Sequence, residues 1–73
     1  MKILISFGQD HVHYINDKTF DHNCLAIIEG ENWNDCRDKA HRYFNGKFCT
    51  DYPIEKLNDP NFMKWYYRGG IEV

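Results

Sequence analysis

Three histidines in the first third of the chain have the residue type and spacing to bind a metal ion. His11, His13 and His22 lie on two short β-capable runs that Asn16 and Asp17 separate. Because Asn and Asp tolerate positive φ angles, these two residues predict a two-residue hairpin loop, which pairs His11 with His22. Opposed residues share a sheet face with residues two positions along a strand. The three imidazoles would then converge and could hold zinc with one coordination position open.

This metal site depends on the register of the hairpin. A three-residue loop would turn His11 and His13 towards Asp21 instead, because a shift of one residue moves every side chain to the other face. The other interpretation is that the histidines are half-exposed strand residues on a solvated face. We expect no cofactor, and zinc held by the three histidines is the alternative.

A second candidate site lies near the C-terminus, where Trp65, Tyr66, Tyr67 and Arg68 precede two glycines. Trp, Tyr and Arg dominate the binding energy of protein–protein interfaces, so these four residues are candidates for binding a partner. The same residue types could stack a nucleobase and clamp a phosphate. A third interpretation is that the rings fill the core. Because aromatic residues make up 16% of the chain, we expect some of them to be exposed.

The sequence contains no signature of a common enzyme class. It has no glycine-rich phosphate loop, no G-x-S-x-G motif and no H-E-x-x-H motif. Cys24, Cys36 and Cys49 are odd in number, and their spacings match neither a C-x-x-C motif nor a disulfide framework. We therefore expect reduced thiols and a protein that is not an enzyme.

Composition and charge indicate a globular chain and argue against some classes of partner. Charged residues make up 27% of the chain and hydrophobic residues 42%, and the formal net charge is -2. Without a basic stripe, direct binding to nucleic acid is not expected. No apolar run is long enough to span a membrane, and the first residues lack the pattern of a signal peptide. The predictions are a single domain over residues 1–73, a cytoplasmic location and no membrane partner.

Short strands are predicted where β-forming residues are bounded by turn residues. They cover residues 2–7, 11–15, 18–22, 24–29, 47–52 and 66–73, the last one bent at Gly69 and Gly70.

The main helix is predicted over residues 33–45. Asn32 is a suitable N-cap, Asp35 lies in the first turn, and Asn45 followed by Gly46 is a typical C-terminal stop. Its apolar residues recur at helical spacing and form one stripe. The stripe contains Trp33, Cys36, Ala40, Tyr43 and Phe44.

A short second helix is predicted from Pro60 to about Trp65, because Asp59 can cap it and proline suits the first helical position. The fold class is therefore α+β. We expect a small antiparallel β-sheet with one main α-helix packed on a face and the short helix near the C-terminus.

Four segments give the chain a family resemblance. They are residues 7–13 (FGQDHVH), 18–21 (KTFD), 43–48 (YFNGKF) and 67–71 (YRGGI). Taken together, they resemble small accessory proteins encoded by bacteriophages and prophages, most of which are uncharacterised. The resemblance implies a protein made in the bacterial cytoplasm, where many such proteins bind and disable a host factor. Anti-CRISPR proteins and sponges of nucleotide immune signals are two known kinds.

The leading hypothesis combines this resemblance with the aromatic C-terminal segment. It is a small non-catalytic phage-type protein that inhibits a host bacterial protein, such as a CRISPR-type defence effector. Trp65, Tyr66, Tyr67 and Arg68 would bind this partner.

Two alternatives remain open at this point. The first is an oligomeric sponge for a nucleotide signal, with Arg68 on the phosphate and Tyr66 or Tyr67 stacked on the base. A chain this small would need a homodimer or larger assembly to enclose a nucleotide. The second alternative is the histidine-based metal-binding domain.

Overall fold

The chain forms two β-sheets and two α-helices in the computed structural model, which describes residues 1–73. In chain order the elements are β1 (Lys2–Ile5), β2 (His13–Ile15), β3 (Lys18–Phe20), β4 (Leu25–Glu29), α1 (Trp33–Phe44), β5 (Asp51–Pro53), a 3-10 helix (Ile54–Asn58), α2 (Pro60–Met63) and β6 (Gly70–Glu72). These elements confirm the predicted α+β class, with one main helix and a short second helix near the C-terminus.

The larger sheet has four strands in the order β5-β1-β4-β6. β1 pairs antiparallel with both β4 and β5, as expected. β6 differs from the prediction of an antiparallel sheet, because it pairs parallel with β4. The reason is the connection that precedes it. Residues 54–69 carry the chain from β5 at one edge to β6 at the other, and a helical crossover of this kind joins strands that run in the same direction.

β1 is buried on both of its faces. Ile3, Leu4 and Ile5 are all inaccessible to solvent, and alternation along the strand puts Leu4 on the face opposite the two isoleucines. The isoleucine face, the β2–β3 hairpin and α1 enclose the main core. This core contains Ile3, Ile5, Phe7, Phe20, Cys24, Ala26, Ile28, Cys36, Ala40 and Phe44.

A smaller apolar layer covers the other face of the sheet. Leu4 and Leu25 are fully buried there, outside the main core. The 3-10 helix packs against β1. Tyr52, the cross-strand partner of Leu4, meets Phe62 of α2 edge to face, with 4.8 Å between ring centroids. The segment after β5 is therefore a required covering layer, not a tail.

The β2–β3 hairpin has the predicted turn. Asn16 and Asp17 both take positive φ angles, 53° and 64°, which is the conformation of a type I′ turn. The register within the strands is also as predicted, since His13 pairs with Phe20. Because Phe20 is fully buried, this register anchors the hairpin on the main core.

Both ends of α1 have the predicted caps. The Asn32 side chain accepts a hydrogen bond from the Asp35 amide at 2.8 Å, and the Asp35 carboxylate accepts one from the Glu31 amide at 2.9 Å. The Glu31 amide, aided by the Lys39 ammonium, holds the pKa of Asp35 below its usual value. At the other end, Asn45 stops the helix in the left-handed conformation, with φ 55°.

The apolar stripe of α1 faces the sheet with one exception. Its buried members are Cys36, Ala40 and Phe44. Trp33 is half-buried and donates its indole N–H to Asp51 at 2.6 Å. Tyr43, predicted as part of the same stripe, is instead 45% exposed. It lies where the end of the sheet leaves an open cleft that Lys2 and Glu72 also line.

The second half of the chain contains less strand than predicted. Of residues 47–52, only Asp51 and Tyr52 belong to β5, although hydrogen bonds between Ser6 and the backbone of Cys49 and Thr50 continue the pairing irregularly. The 3-10 helix was not predicted. α2 ends at Met63, not near Trp65, and residues 67–68 form a turn in place of the start of the last strand. No helix of the fold has the length and apolar character needed to cross a membrane.

Gly30 offers a test of how tightly α1 packs on the sheet. A Cβ atom at Gly30 would lie 2.7 Å from a carboxylate oxygen of Asp35 and 3.0 Å from the backbone nitrogen of Cys36. Gly30 cannot easily move away, because its N–H and C=O both bond to Met1. We expect Gly30→Ala to lower the free energy of unfolding by about 1–3 kcal/mol, measured by urea denaturation.

The matched control is Gly8→Ala. There the added Cβ would meet only the His11 ring, at 3.5 Å, so we expect a change within about 0.5 kcal/mol. Equal stability of the two variants would show that the region around Gly30 is looser than described.

Candidate binding surface

The turn after α2 exposes two large aromatic side chains. Asp59 caps α2 by accepting the amides of Asn61 and Phe62, and the chain then turns through the hydrogen bond from the Tyr66 amide to the Met63 carbonyl, 2.9 Å. Trp65 and Tyr67 point outwards and are 71% and 77% exposed. Both were predicted as site residues. We call the surface that these two side chains form the aromatic surface.

Tyr66, between them, points inwards. Its ring lies 5.1 Å from that of Phe62, which in turn packs on Tyr52. Partial burial, with the Tyr52 hydroxyl nearby, raises the pKa of Tyr66 above its usual value. Tyr66 was predicted as a binding residue, but its place is in the layer that covers the sheet.

Arg68 is held by contacts within the chain. Its guanidinium lies 3.1 Å from the Asp21 carboxylate and donates to the Thr19 carbonyl at 3.0 Å. Its own amide donates to the Asn23 carbonyl at 3.0 Å. This arrangement makes Arg68 a link between the C-terminal turn and the end of the hairpin, and a phosphate would have to compete with Asp21 for it.

Further contacts fix the backbone beneath the aromatic surface. The Asn23 side-chain amide donates to the Tyr67 hydroxyl at 3.2 Å. The Leu25 amide donates to the Gly69 carbonyl at 3.0 Å, and the Gly69 amide returns to the Tyr66 carbonyl at 2.8 Å. Trp65 and Tyr67 are therefore exposed on a turn that is already ordered.

Tyr14 is an exposed aromatic residue that the site prediction missed. It is 78% exposed and pairs across the hairpin with Thr19, the residue whose carbonyl Arg68 holds. Period-two alternation could have identified it. If Ile15 faces the core, then Tyr14 beside it must face solvent.

The three predicted metal ligands are not brought together. The His11 amide bonds to the Gly8 carbonyl at 3.0 Å, so the chain turns away before a pair with His22 can form, and this part of the predicted register is wrong. The His11 ring accepts the Gly8 amide through Nδ1 at 2.9 Å, and His13 Nε2 donates to the Lys47 carbonyl at 2.8 Å. His22 is exposed in the turn after β3. No group of three His, Cys, Asp or Glu side chains is placed to hold a metal ion.

Two clefts occur in the molecule, and neither includes the aromatic surface. Their volumes are about 240 and 270 Å³, and Lys39 and Tyr43 of α1 line both of them.

Comparison with known proteins gives no assignment of this surface. No protein-family model matches the sequence, and neither curated proteins nor solved structures provide a match.

The role of Arg68 as a link can be tested by Arg68→Ala. We expect it to lower the free energy of unfolding by about 1 kcal/mol, because a partly buried carboxylate and a backbone carbonyl each lose a donor. Hydrogen exchange at the Leu25 amide should become faster, since the turn that holds it is released.

Arg37→Ala serves as the control. Arg37 is an exposed residue of α1, and we expect its removal to change stability by less than about 0.5 kcal/mol. Unchanged exchange at Leu25 in the Arg68→Ala variant would show that the turn is ordered without this link.

Proposed function

We propose that this protein is a non-catalytic binding protein that docks on another protein through Trp65 and Tyr67. The observation that carries the proposal is the exposure of these two rings, 71% and 77%, on a backbone that hydrogen bonds hold in place. Large aromatic residues in such positions are the usual anchors of protein–protein interfaces.

The core of the protein is complete without Trp65 and Tyr67. Residues that include Phe20 and Phe44 fill the main core, and Tyr66 packs on Phe62 in the second layer, so both close without the rings of Trp65 and Tyr67. Burial of such exposed aromatic side chains by a partner is favourable. Since the turn is ordered beforehand, docking costs little conformational entropy.

The resemblance to phage and prophage accessory proteins supplies the context for the partner. It supports a host protein in the bacterial cytoplasm as the target and inhibition as the outcome, with a defence effector such as a CRISPR nuclease complex as the first candidate. In this proposal the protein acts by occupying a surface of its target, and it performs no chemistry of its own.

The nucleotide sponge is less well supported at this site. It requires Arg68 to bind phosphate, but Asp21 and the Thr19 carbonyl already engage the guanidinium. It also requires stacking on Tyr66 or Tyr67, of which Tyr66 is turned inwards.

Two substitutions test the proposed function. We expect Trp65→Ala and Tyr67→Ala each to weaken binding to the target at least about 30-fold, the loss typical of an interface anchor, while the free energy of unfolding changes little. The target is first captured from lysates of bacteria that express a CRISPR nuclease complex. Binding of the purified target is then measured by calorimetry.

The matched control is Tyr43→Ala, which removes an exposed aromatic residue away from the aromatic surface. It should retain the target. If both surface variants fold and bind as tightly as the unmodified protein, the docking site lies elsewhere. If they instead convert a dimer to a monomer in sedimentation experiments, the aromatic surface is a self-association interface and the proposal is wrong.

A further inference from the structure

The aromatic surface lies in a stretch of chain that has positive charge and no carboxylate. The chain has 11 Asp and Glu residues and a net charge of -2, yet none of these acidic residues lies within residues 60–71. The two cations of this stretch are Lys64 and Arg68. The Arg68 guanidinium is paired with Asp21 at 3.1 Å, so the charge that remains next to the aromatic surface is that of Lys64.

Lys64 has no partner for its charge within the chain. Its ammonium lies over the Trp65 ring, 6.0 Å from the centroid, and it takes part in none of the three ion pairs of the fold. Lys64 is also exposed to solvent. Because a ring face attracts a cation without neutralising it, the ammonium remains available to an anion that approaches the ring.

Lys56 has a similar arrangement. Its ammonium lies over the Phe62 ring, 5.5 Å from the centroid, and it too is absent from the ion pairs. Phe62 belongs to the turn that presents Trp65, since its carbonyl accepts the Trp65 amide at 3.3 Å. The Asp59 carboxylate is engaged by amides at the start of α2. Two ammonium groups without a carboxylate partner therefore accompany the aromatic surface.

We propose that the partner of the aromatic surface is an acidic segment of a protein, with apolar side chains on Trp65 and Tyr67 and carboxylates on Lys64 and Lys56. The inference rests on the proposed function and specifies the chemistry of the partner. Covering Trp65 with a partner strips water from the Lys64 ammonium, which is costly unless an anion takes the place of that water. An acidic partner is therefore selected over a neutral one, and repulsion between like charges excludes a basic one.

Nucleic acid is also negatively charged, but it fits this surface less well. Binding to a phosphate backbone relies on several cations that contact successive phosphates, whereas this segment offers two free lysines and the chain as a whole is negative. Its guanidinium, on Arg68, is held by Asp21 and by the Thr19 carbonyl. A protein segment with carboxylates beside apolar side chains needs only the two ammonium groups and the two rings.

The test uses the intact protein and short synthetic peptides. The probe peptide has a leucine and a phenylalanine flanked by glutamates, and the matched peptides have glutamine or lysine in place of glutamate. Binding is followed by the fluorescence of Trp65, since the other tryptophan, Trp33, is half-buried and bonded to Asp51. We expect the glutamate peptide to bind about fivefold more tightly than the glutamine peptide, the factor that one good exposed ion pair supplies. The lysine peptide should bind most weakly.

Lys64→Gln tests which residue supplies the preference for glutamate. It should remove most of that preference, whereas Arg37→Gln, which removes one positive charge from α1, should leave it unchanged. Raising the ionic strength from about 0.1 M to about 1 M should also remove it, because the Debye length falls from about 10 Å to about 3 Å. A preference that survives Lys64→Gln would place the carboxylates elsewhere and overturn the inference.

The remaining outcomes separate this inference from the proposed function. Equal binding of the glutamate and glutamine peptides, or no binding of either, overturns the inference, while target capture with Trp65→Ala still decides whether the surface docks on a protein. If a single-stranded thymidine oligonucleotide binds more tightly than the glutamate peptide, the surface takes phosphates, and both proposals are wrong. If the protein alone is a dimer that Lys64→Gln dissociates, the occupant is a second copy of the chain, which also overturns the inference.

Discussion

The burial of β1 on both faces is the constraint from which the rest of the structure follows. An antiparallel sheet commonly packs one face on the core and leaves the other face exposed to solvent. A chain of 73 residues could fold in that way. Here Leu4 is as inaccessible as Ile3 and Ile5, so two layers are needed. α1 and the hairpin provide the first layer, and the segment between β5 and β6 provides the second.

The second layer explains why the aromatic surface has its particular form. To cover Leu4 and Leu25, the chain must cross the sheet: the 3-10 helix packs against β1, and Phe62 packs with Tyr52 and Tyr66 beside it. The crossing then has to end at β6, next to β4, and the turn that makes this possible brings Trp65 and Tyr67 to the outside. Arg68 fixes the turn against the hairpin. The same segment of the chain therefore covers the sheet and exposes the two rings.

Features of the fold that depend on neighbours in sequence could be predicted, and those that depend on distant segments could not. The turn at Asn16 and Asp17 and the Asn32 cap of α1 each involve a few adjacent residues, and both were found. The parallel pairing of β6, the inward side chain of Tyr66 and the pairing of Arg68 with Asp21 depend on contacts across much of the chain. The sequence alone identifies Trp65 and Tyr67 as candidates, but only the packing separates them from Tyr66.

The order of strands also has a consequence for how the chain folds. β1 and β4 pair with each other early in the sequence, but both are central strands, and the partners of their outer edges, β5 and β6, come much later. Until those strands pair, the β1–β4 pair has two edges with unpaired backbone N–H and C=O groups, and such edges are a template for association with other chains. Pairings so distant in sequence also slow folding, because the loop-closure entropy must be overcome first. The sheet is therefore complete only after the C-terminal strand β6 has paired with β4.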